Sequence, residues 1–200
     1  MGEHNLQFAA LVGSRICHDL ISPIGAINNG MELLSMSGLP PSPEMALIAQ
    51  SVDAANARLR FFRIAYGAPN DAQLLGQSEI TSILRDITED SRLSLHWKST
   101  ENHTRSEVQL VFLAIQCAEQ ALPYGGEIAI HFENARWRLE LNAERFTLDP
   151  VLWSTLEISG TAETDIIPAH VQFLLLPLYA AEKSRKVQVI QSETKITLIV

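Results

Sequence analysis

The chain has 200 residues, 46% of them hydrophobic and 19% charged, which is the make-up of a folded globular protein long enough for one domain or two small ones. Its formal charge of −8 comes without a basic tract, which argues against nucleic acid and anionic membrane as partners. Two cysteines without CxxC or Cys/His spacing speak against a disulfide scaffold or a zinc site. The N-terminus lacks the basic and apolar regions of a signal peptide, and no apolar run reaches the length of a membrane span, so a cytoplasmic protein is expected.

A helix is predicted from about residue 5 to 36. Leu6, Ala10, Gly13, Cys17, Leu20, Ile24, Ile27, Met31 and Leu34 follow one another in alternating steps of 4 and 3, a heptad seam. Pro23 falls inside this helix and predicts a kink, because an interior proline removes a hydrogen bond and clashes, at about 3 kcal/mol. The breaker cluster 37–43 ends the helix, with Ser42 and Pro43 as cap and first residue of the next. A second seam runs through Met45, Ile48, Val52, Ala55, Leu59, Phe62 and Tyr66. Two narrow stripes cannot cover each other well in a lone hairpin, so two hairpins pairing as a four-helix bundle are expected, and with them a homodimer.

Gly67-Ala68-Pro69-Asn70 reads as a linker, dividing the chain into 1–69 and 70–200. Beyond it, Ser78–Asp90 is a predicted helix with Ser78 as a possible cap, and Arg92–Lys98 a half-buried strand. Glu107–Leu122 reads as a buried helix. Pro123-Tyr124-Gly125-Gly126 then turns the chain into an antiparallel hairpin through Ile128, Ile130, Phe132 and Trp137, Leu139, Leu141. A short helix over 149–158, a helix over Pro168–Glu182 and strands at Val187–Ile190 and Ile196–Val200 complete an α+β sandwich.

One histidine stands apart. His18 follows the seam residue Cys17, is followed by Asp19, and lies five residues before Pro23. A neutral imidazole with one nitrogen held and the other free is a competent nucleophile toward phosphorus. His96 and His131 fall in predicted strands, His4 and His103 in polar ends or loops, and His170 near a helix start; none has a partner at metal-ligand spacing.

The string His18-Asp19-Leu20-Ile21-Ser22-Pro23 resembles the phosphoacceptor motif of sensor histidine kinases, with Ile21 where an Arg is usual. Cys17 through Ile27, followed by Gly30-Met31-Glu32-Leu33-Leu34, is closer still to the ChpT-type histidine phosphotransferases. The resemblance implies a dimerising hairpin followed by a domain like a kinase ATPase. A kinase would carry Asn-x-x-x-Asn-Ala before Pro-x-Gly-Gly. Here those asparagine positions are Leu113 and Cys117, with Ala118 retained, and neither suits an oxygen-preferring Mg²⁺. Where Asp-x-Gly-x-Gly should follow, the chain reads Asn142-Ala143-Glu144-Arg145-Phe146-Thr147, and the tract 142–167 holds one glycine, Gly160. The nucleotide site is therefore expected to be lost: no cofactor bound by this chain, no ATP.

The resemblance implies phosphotransfer between receiver-domain aspartates through His18, phosphorylated at Nε2. Mg²⁺ would come from the receiver, the donor would be the receiver of a CckA-type hybrid kinase, and the acceptors CtrA-type response regulators. Asp19 is the orienter or proton acceptor for the other ring nitrogen, or pairs with a basic side chain instead. Arg15, one turn earlier, is either a surface charge or a group that holds a phosphoryl oxygen. Leu11, Ser14, Arg15, Ile21, Ser22 and Gly25 lie at helical spacing around His18 and form the expected docking face. An active sensor kinase and a non-catalytic dimeric adaptor are the rival readings.

Overall fold

The computed structural model describes residues 2–36, 42–89, 91–157, 166–192 and 194–200. Two compact units divide the chain, Met1–Ala68 and Pro69–Val200.

The first unit is a helical hairpin of α1 (Gly2–Met36) and α2 (Pro43–Ala65). Most of the breaker cluster between them, 37–41, lies outside the described residues. Ser42 caps α2 as expected: its Oγ accepts the Met45 N–H at 3.2 Å, and Pro43 opens the helix where no N–H is needed. The helix α1 continues through Pro23.

Leu6, Ala10 and Cys17 of α1 are buried, with Val52, Ala57, Leu59, Phe61, Ile64 and Ala65 of α2. Gly13 is where the helices come closest, for a Cβ there would lie 2.5 Å from the Tyr66 carbonyl oxygen. The second seam is corrected toward the end of α2. Phe61, Ile64 and Ala65 are buried there, while Phe62 and Tyr66 are only half-buried. The rings of the half-buried pair lie tilted against one another, centroids 5.6 Å apart. Toward the other end of the hairpin burial fails: Leu20, Ile27, Leu34 and Ile48 of the two seams are exposed.

The second unit opens with β1 (Leu74–Leu75), which pairs antiparallel with β3 (His103–Thr104). Two residues cannot display an alternation of period two, so neither strand is foreseeable from the sequence. Between them lie α3 (Gln77–Thr88) and β2 (Leu93–Trp97). Gly76, not Ser78, precedes α3 in extended conformation, and no side chain caps it; Asp90 lies outside the described residues. The central helix α4 (Arg105–Ala121) is capped by Thr104, whose Oγ1 accepts the Glu107 N–H.

Then come β4 (Gly126–Glu133), β5 (Arg136–Asn142), α5 (Pro150–Ser154), α6 (Gln172–Glu182), β6 (Gln188–Gln191) and β7 (Lys195–Ile199). The helix expected over 168–182 is split: a 3₁₀ turn at Pro168–His170 precedes α6. Residues 158–165, with Gly160, lie outside the described residues.

The five-stranded sheet has the order β2-β4-β5-β7-β6, parallel between β2 and β4 and antiparallel elsewhere. Its inward face (Ile128, Ile130, Trp137, Leu139, Leu141, Ile196, Leu198) is fully buried, as are Val108 and the stretch Leu110–Ile115 of α4. The alternate residues Arg136, Arg138 and Asn142 of β5 face the other way and are exposed. This is an α+β unit with a mixed sheet, and Cys117 lies in its core as a free thiol.

Candidate functional site

Helical geometry sets the site. Cys17 is buried against the seam, and a rotation of about 100° per residue carries the next side chain off it. The His18 side chain is accordingly 85% exposed. Asp19 Oδ1 lies 3.3 Å from His18 Nδ1, and its other oxygen, Oδ2, accepts a hydrogen bond from Arg15 Nε at 2.8 Å. The Arg15 bond, then the His18 bond, hold the Asp19 carboxyl below the usual aspartate range, so it is an ionised acceptor at neutral pH. Asp19 thus contacts both side chains, one with each oxygen. Among the described residues, Nε2 of His18 has no hydrogen-bond partner. Pro23 has no N–H to offer the carbonyl four residues earlier, which is that of Asp19.

The expected docking face is brought together in part. Leu11 and Ile21 are exposed, as are Arg15 and Ser22. A Cβ added at Gly25 would meet nothing within 4 Å, so this point of the helix is open to close approach. Ser14 is half-buried and its Oγ accepts the Ala68 N–H at 3.2 Å, which ties the start of the linker to α1. Its hydroxyl is engaged inside the hairpin unit, since a backbone N–H reaches it there. Cys17 is a neutral thiol, pushed up by burial.

In the second unit Leu113 and Cys117, at the positions of the kinase asparagines, are both fully buried. Burial raises the Cys117 thiol well above its ordinary value, so it offers no thiolate. Neither side chain fits a Mg²⁺-nucleotide. The glycines of the Pro-Tyr-Gly-Gly turn have a packing reason instead. Gly125 has φ +94° and Gly126 φ +152°; a Cβ at Gly125 would run into the Arg92 carbonyl, and one at Gly126 would lie 2.7 Å from the Asn142 carbonyl oxygen. An open cleft of about 510 Å³ beside them is lined by Tyr124, Ala143, Glu144 and Arg145, whose guanidinium lies over the Tyr124 ring.

His103 corrects its expected place in a loop. It sits in β3, buried among Trp97, Phe132 and Trp137, with Nε2 2.7 Å from Ser99 Oγ. Burial keeps the ring neutral, against the pull of Glu101 and Glu107. Its sequence neighbours are polar and its strand is two residues long, so nothing in the sequence marks it. Beside it Trp137 Nε1 donates to Glu107, which also pairs with Arg185 at 2.8 Å and with Lys183 at 3.4 Å. Lys183 reaches Asp71 as well. No three His, Cys, Asp or Glu side chains among the described residues are grouped to hold a metal, and no described helix is long and apolar enough to cross a membrane.

Residues 77–195 match the model of the histidine phosphotransferase C-terminal domain. Over 192 residues the chain is 33% identical to the protein phosphotransferase ChpT of Brucella abortus (strain 2308), covering 92% of this chain and 90% of that one. The chain belongs to the ChpT-type histidine phosphotransferases. A solved bacterial phosphotransferase matches it with a TM-score of 0.69 and 26% identity, over 98% of this phosphotransferase and 95% of that chain. Full-length ShkA in complex with AMPPNP shares the fold at a TM-score of 0.50 and 12% identity, over 96% of this chain and 46% of its own. The AMPPNP named there is bound by ShkA.

Proposed function

We propose that the chain carries phosphoryl groups through His18 as the intermediate of a bacterial two-component phosphorelay. The observation that carries this reading is the exposed imidazole whose Nδ1 faces an ionised carboxylate, leaving Nε2 as the nucleophile. A phosphorylated receiver docks on Leu11, Ile21, Ser22 and Gly25. Nε2 attacks the phosphorus of its aspartyl phosphate in line, the N–P bond forms as the acyl O–P bond breaks, and the receiver's carboxylate leaves with the electron pair. The reverse step loads the aspartate of a second receiver. Mg²⁺ and most of the stabilisation of the transferring group come from the receiver.

The donor is the receiver of a CckA-type hybrid kinase and the acceptors are CtrA-type response regulators. Two hairpins form a four-helix bundle in a homodimer, which would cover Leu20, Ile27 and Leu34. The chain binds no ATP, nucleic acid or membrane, and works in the cytoplasm.

The test is transfer of label. Wild type and His18→Ala are each incubated with a radiolabelled phospho-receiver and Mg²⁺, and with labelled ATP alone. Acid-labile label on wild type from the receiver only, absent from the variant, is the expected result. Label from ATP alone would make the chain a kinase. Label from neither source, across donor receivers that load the Brucella relative, would leave it a dimeric adaptor.

A further inference from the structure

The Arg15 guanidinium is already engaged by a neighbour on its own helix. Arg15 Nε donates to Asp19 Oδ2 at 2.8 Å, while Asp19 Oδ1 lies 3.3 Å from His18 Nδ1. Consecutive helical side chains do not naturally face each other, being about 100° apart around the axis. Asp19 therefore has to lean back to reach His18. Arg15 is one turn before both, three residues from His18 and four from Asp19, and so lies on the side toward which the carboxylate must lean. An ion pair at one oxygen thus presents the other oxygen to the ring.

We infer that Arg15 is a positioning residue, which through its ion pair with Asp19 fixes the oxygen that takes the Nδ1 proton of His18 and so selects the tautomer with a nucleophilic Nε2. The inference rests on His18 as the phosphoacceptor. An ionised carboxylate only accepts, so the ring nitrogen facing it carries the proton and the lone pair is left on Nε2. After attack the ring keeps the Nδ1 proton, and its new positive charge faces Asp19. Arg15 touches no reacting atom. The side chains of Arg15, Asp19 and His18 are 77%, 50% and 85% exposed, so this pair adds little to folding and can be altered without unfolding the hairpin.

The test uses the full chain and its Arg15→Gln, Arg15→Lys and Asp19→Asn variants. The ¹⁵N shifts of the His18 ring are recorded without a receiver, at alkaline pH. Wild type should show the Nδ1-protonated form. Arg15→Gln and Asp19→Asn should move the ring toward the Nε2-protonated form, and Arg15→Lys should restore part of the wild-type population. At saturating phospho-receiver, Arg15→Gln should slow transfer about tenfold, the worth of one charge-assisted hydrogen bond, with receiver affinity unchanged. An unchanged tautomer in Arg15→Gln overturns the inference whatever the transfer rate does. So does weaker receiver binding with the tautomer intact, which would return Arg15 to the phosphoryl group or the docking face. If wild type takes no label on His18, the phosphoacceptor reading fails, and the ring shifts still decide whether Arg15 sets the tautomer.

Discussion

The two units of this chain stand in opposite relations to water. Eleven exposed large apolar residues lie on the described part of the hairpin, from Leu11 and Val12 to Leu47 and Ile48, against five in the larger sheet unit. In the sheet unit Trp137, Phe112, Phe173 and the α4 side chains from Val108 to Ile115 are closed away almost completely. One unit builds a full core from its own residues; the other leaves Leu20, Ile27, Leu34 and Ile48 of its seams exposed. His18 sits on the second kind. A site that serves successive partners needs a surface free to meet them, whereas a buried core needs only itself.

The contrast can be broken first at its strongest point. Leu113→Ala removes a fully buried side chain from α4 and should cost about 3 kcal/mol of stability. The loss is readable by tryptophan fluorescence, because Trp97, Trp137 and Trp153 all lie in the sheet unit. Leu20→Asp, on the exposed part of the hairpin seam, should leave that fluorescence transition in place. If the seam pairs with a second copy, the same change should weaken self-association at least about 100-fold, or roughly 2.7 kcal/mol, measured by light scattering on a dilution series. A dimer that survives Leu20→Asp would place its interface elsewhere.

A smaller effect tests how the sheet unit holds its charges. Burial pushes the Glu107 carboxyl up, but the hydrogen bonds from Arg185 and Trp137 and the charges of Arg185 and Lys183 outweigh this and hold it below its ordinary 4.5. A carboxyl depressed in the folded state contributes stability above its unfolded pKa and loses it as pH falls through the folded value. Glu107→Gln should therefore cost about 2 kcal/mol at neutral pH, leaving Arg185 and Lys183 short of their shared anion. The gap between wild type and variant should close as pH drops below about 4.5. A gap that stays constant with pH would mean that the amide substitutes only sterically, with no ionic part.

What could be read from the sequence follows the same divide. Long periodic segments were legible: the seams of α1 and α2, the alternation Leu93, Leu95, Trp97, and the hairpin from Ile128 to Leu141, because periods of 3.5 and 2 repeat often enough to stand out. Ser42 and Pro43 named their own helix start. The strand pair at Leu74–Leu75 and His103–Thr104 was not legible, being shorter than one repeat, and buried His103 was hidden with it. At the site, His18 and Asp19 were legible as a motif. That Arg15 and His18 divide the two oxygens of one carboxylate, and that Ser14 receives the Ala68 N–H, depend on rotamers and on a residue 54 positions away. No spacing rule reaches those.

The smallest expected change lies at the tip of the β4–β5 hairpin. Asn134 and Ala135 join the strands with φ of 52° and 58°, the left-handed conformation that a two-residue turn of type I′ demands at both places. Asn tolerates it, because its short polar side chain bonds locally. Ala does not, and its Cβ costs about 1 kcal/mol or more there. Ala135→Gly removes that cost but gives the unfolded chain more freedom, worth about 0.5 kcal/mol in the opposite direction. The net expectation is a gain of about 0.5 kcal/mol, seen as a fluorescence transition a few degrees higher with no effect on self-association or on His18. Both strands of this hairpin belong to the sheet unit, so a transition that stays in place or falls would mean that Ala135 carries no such cost.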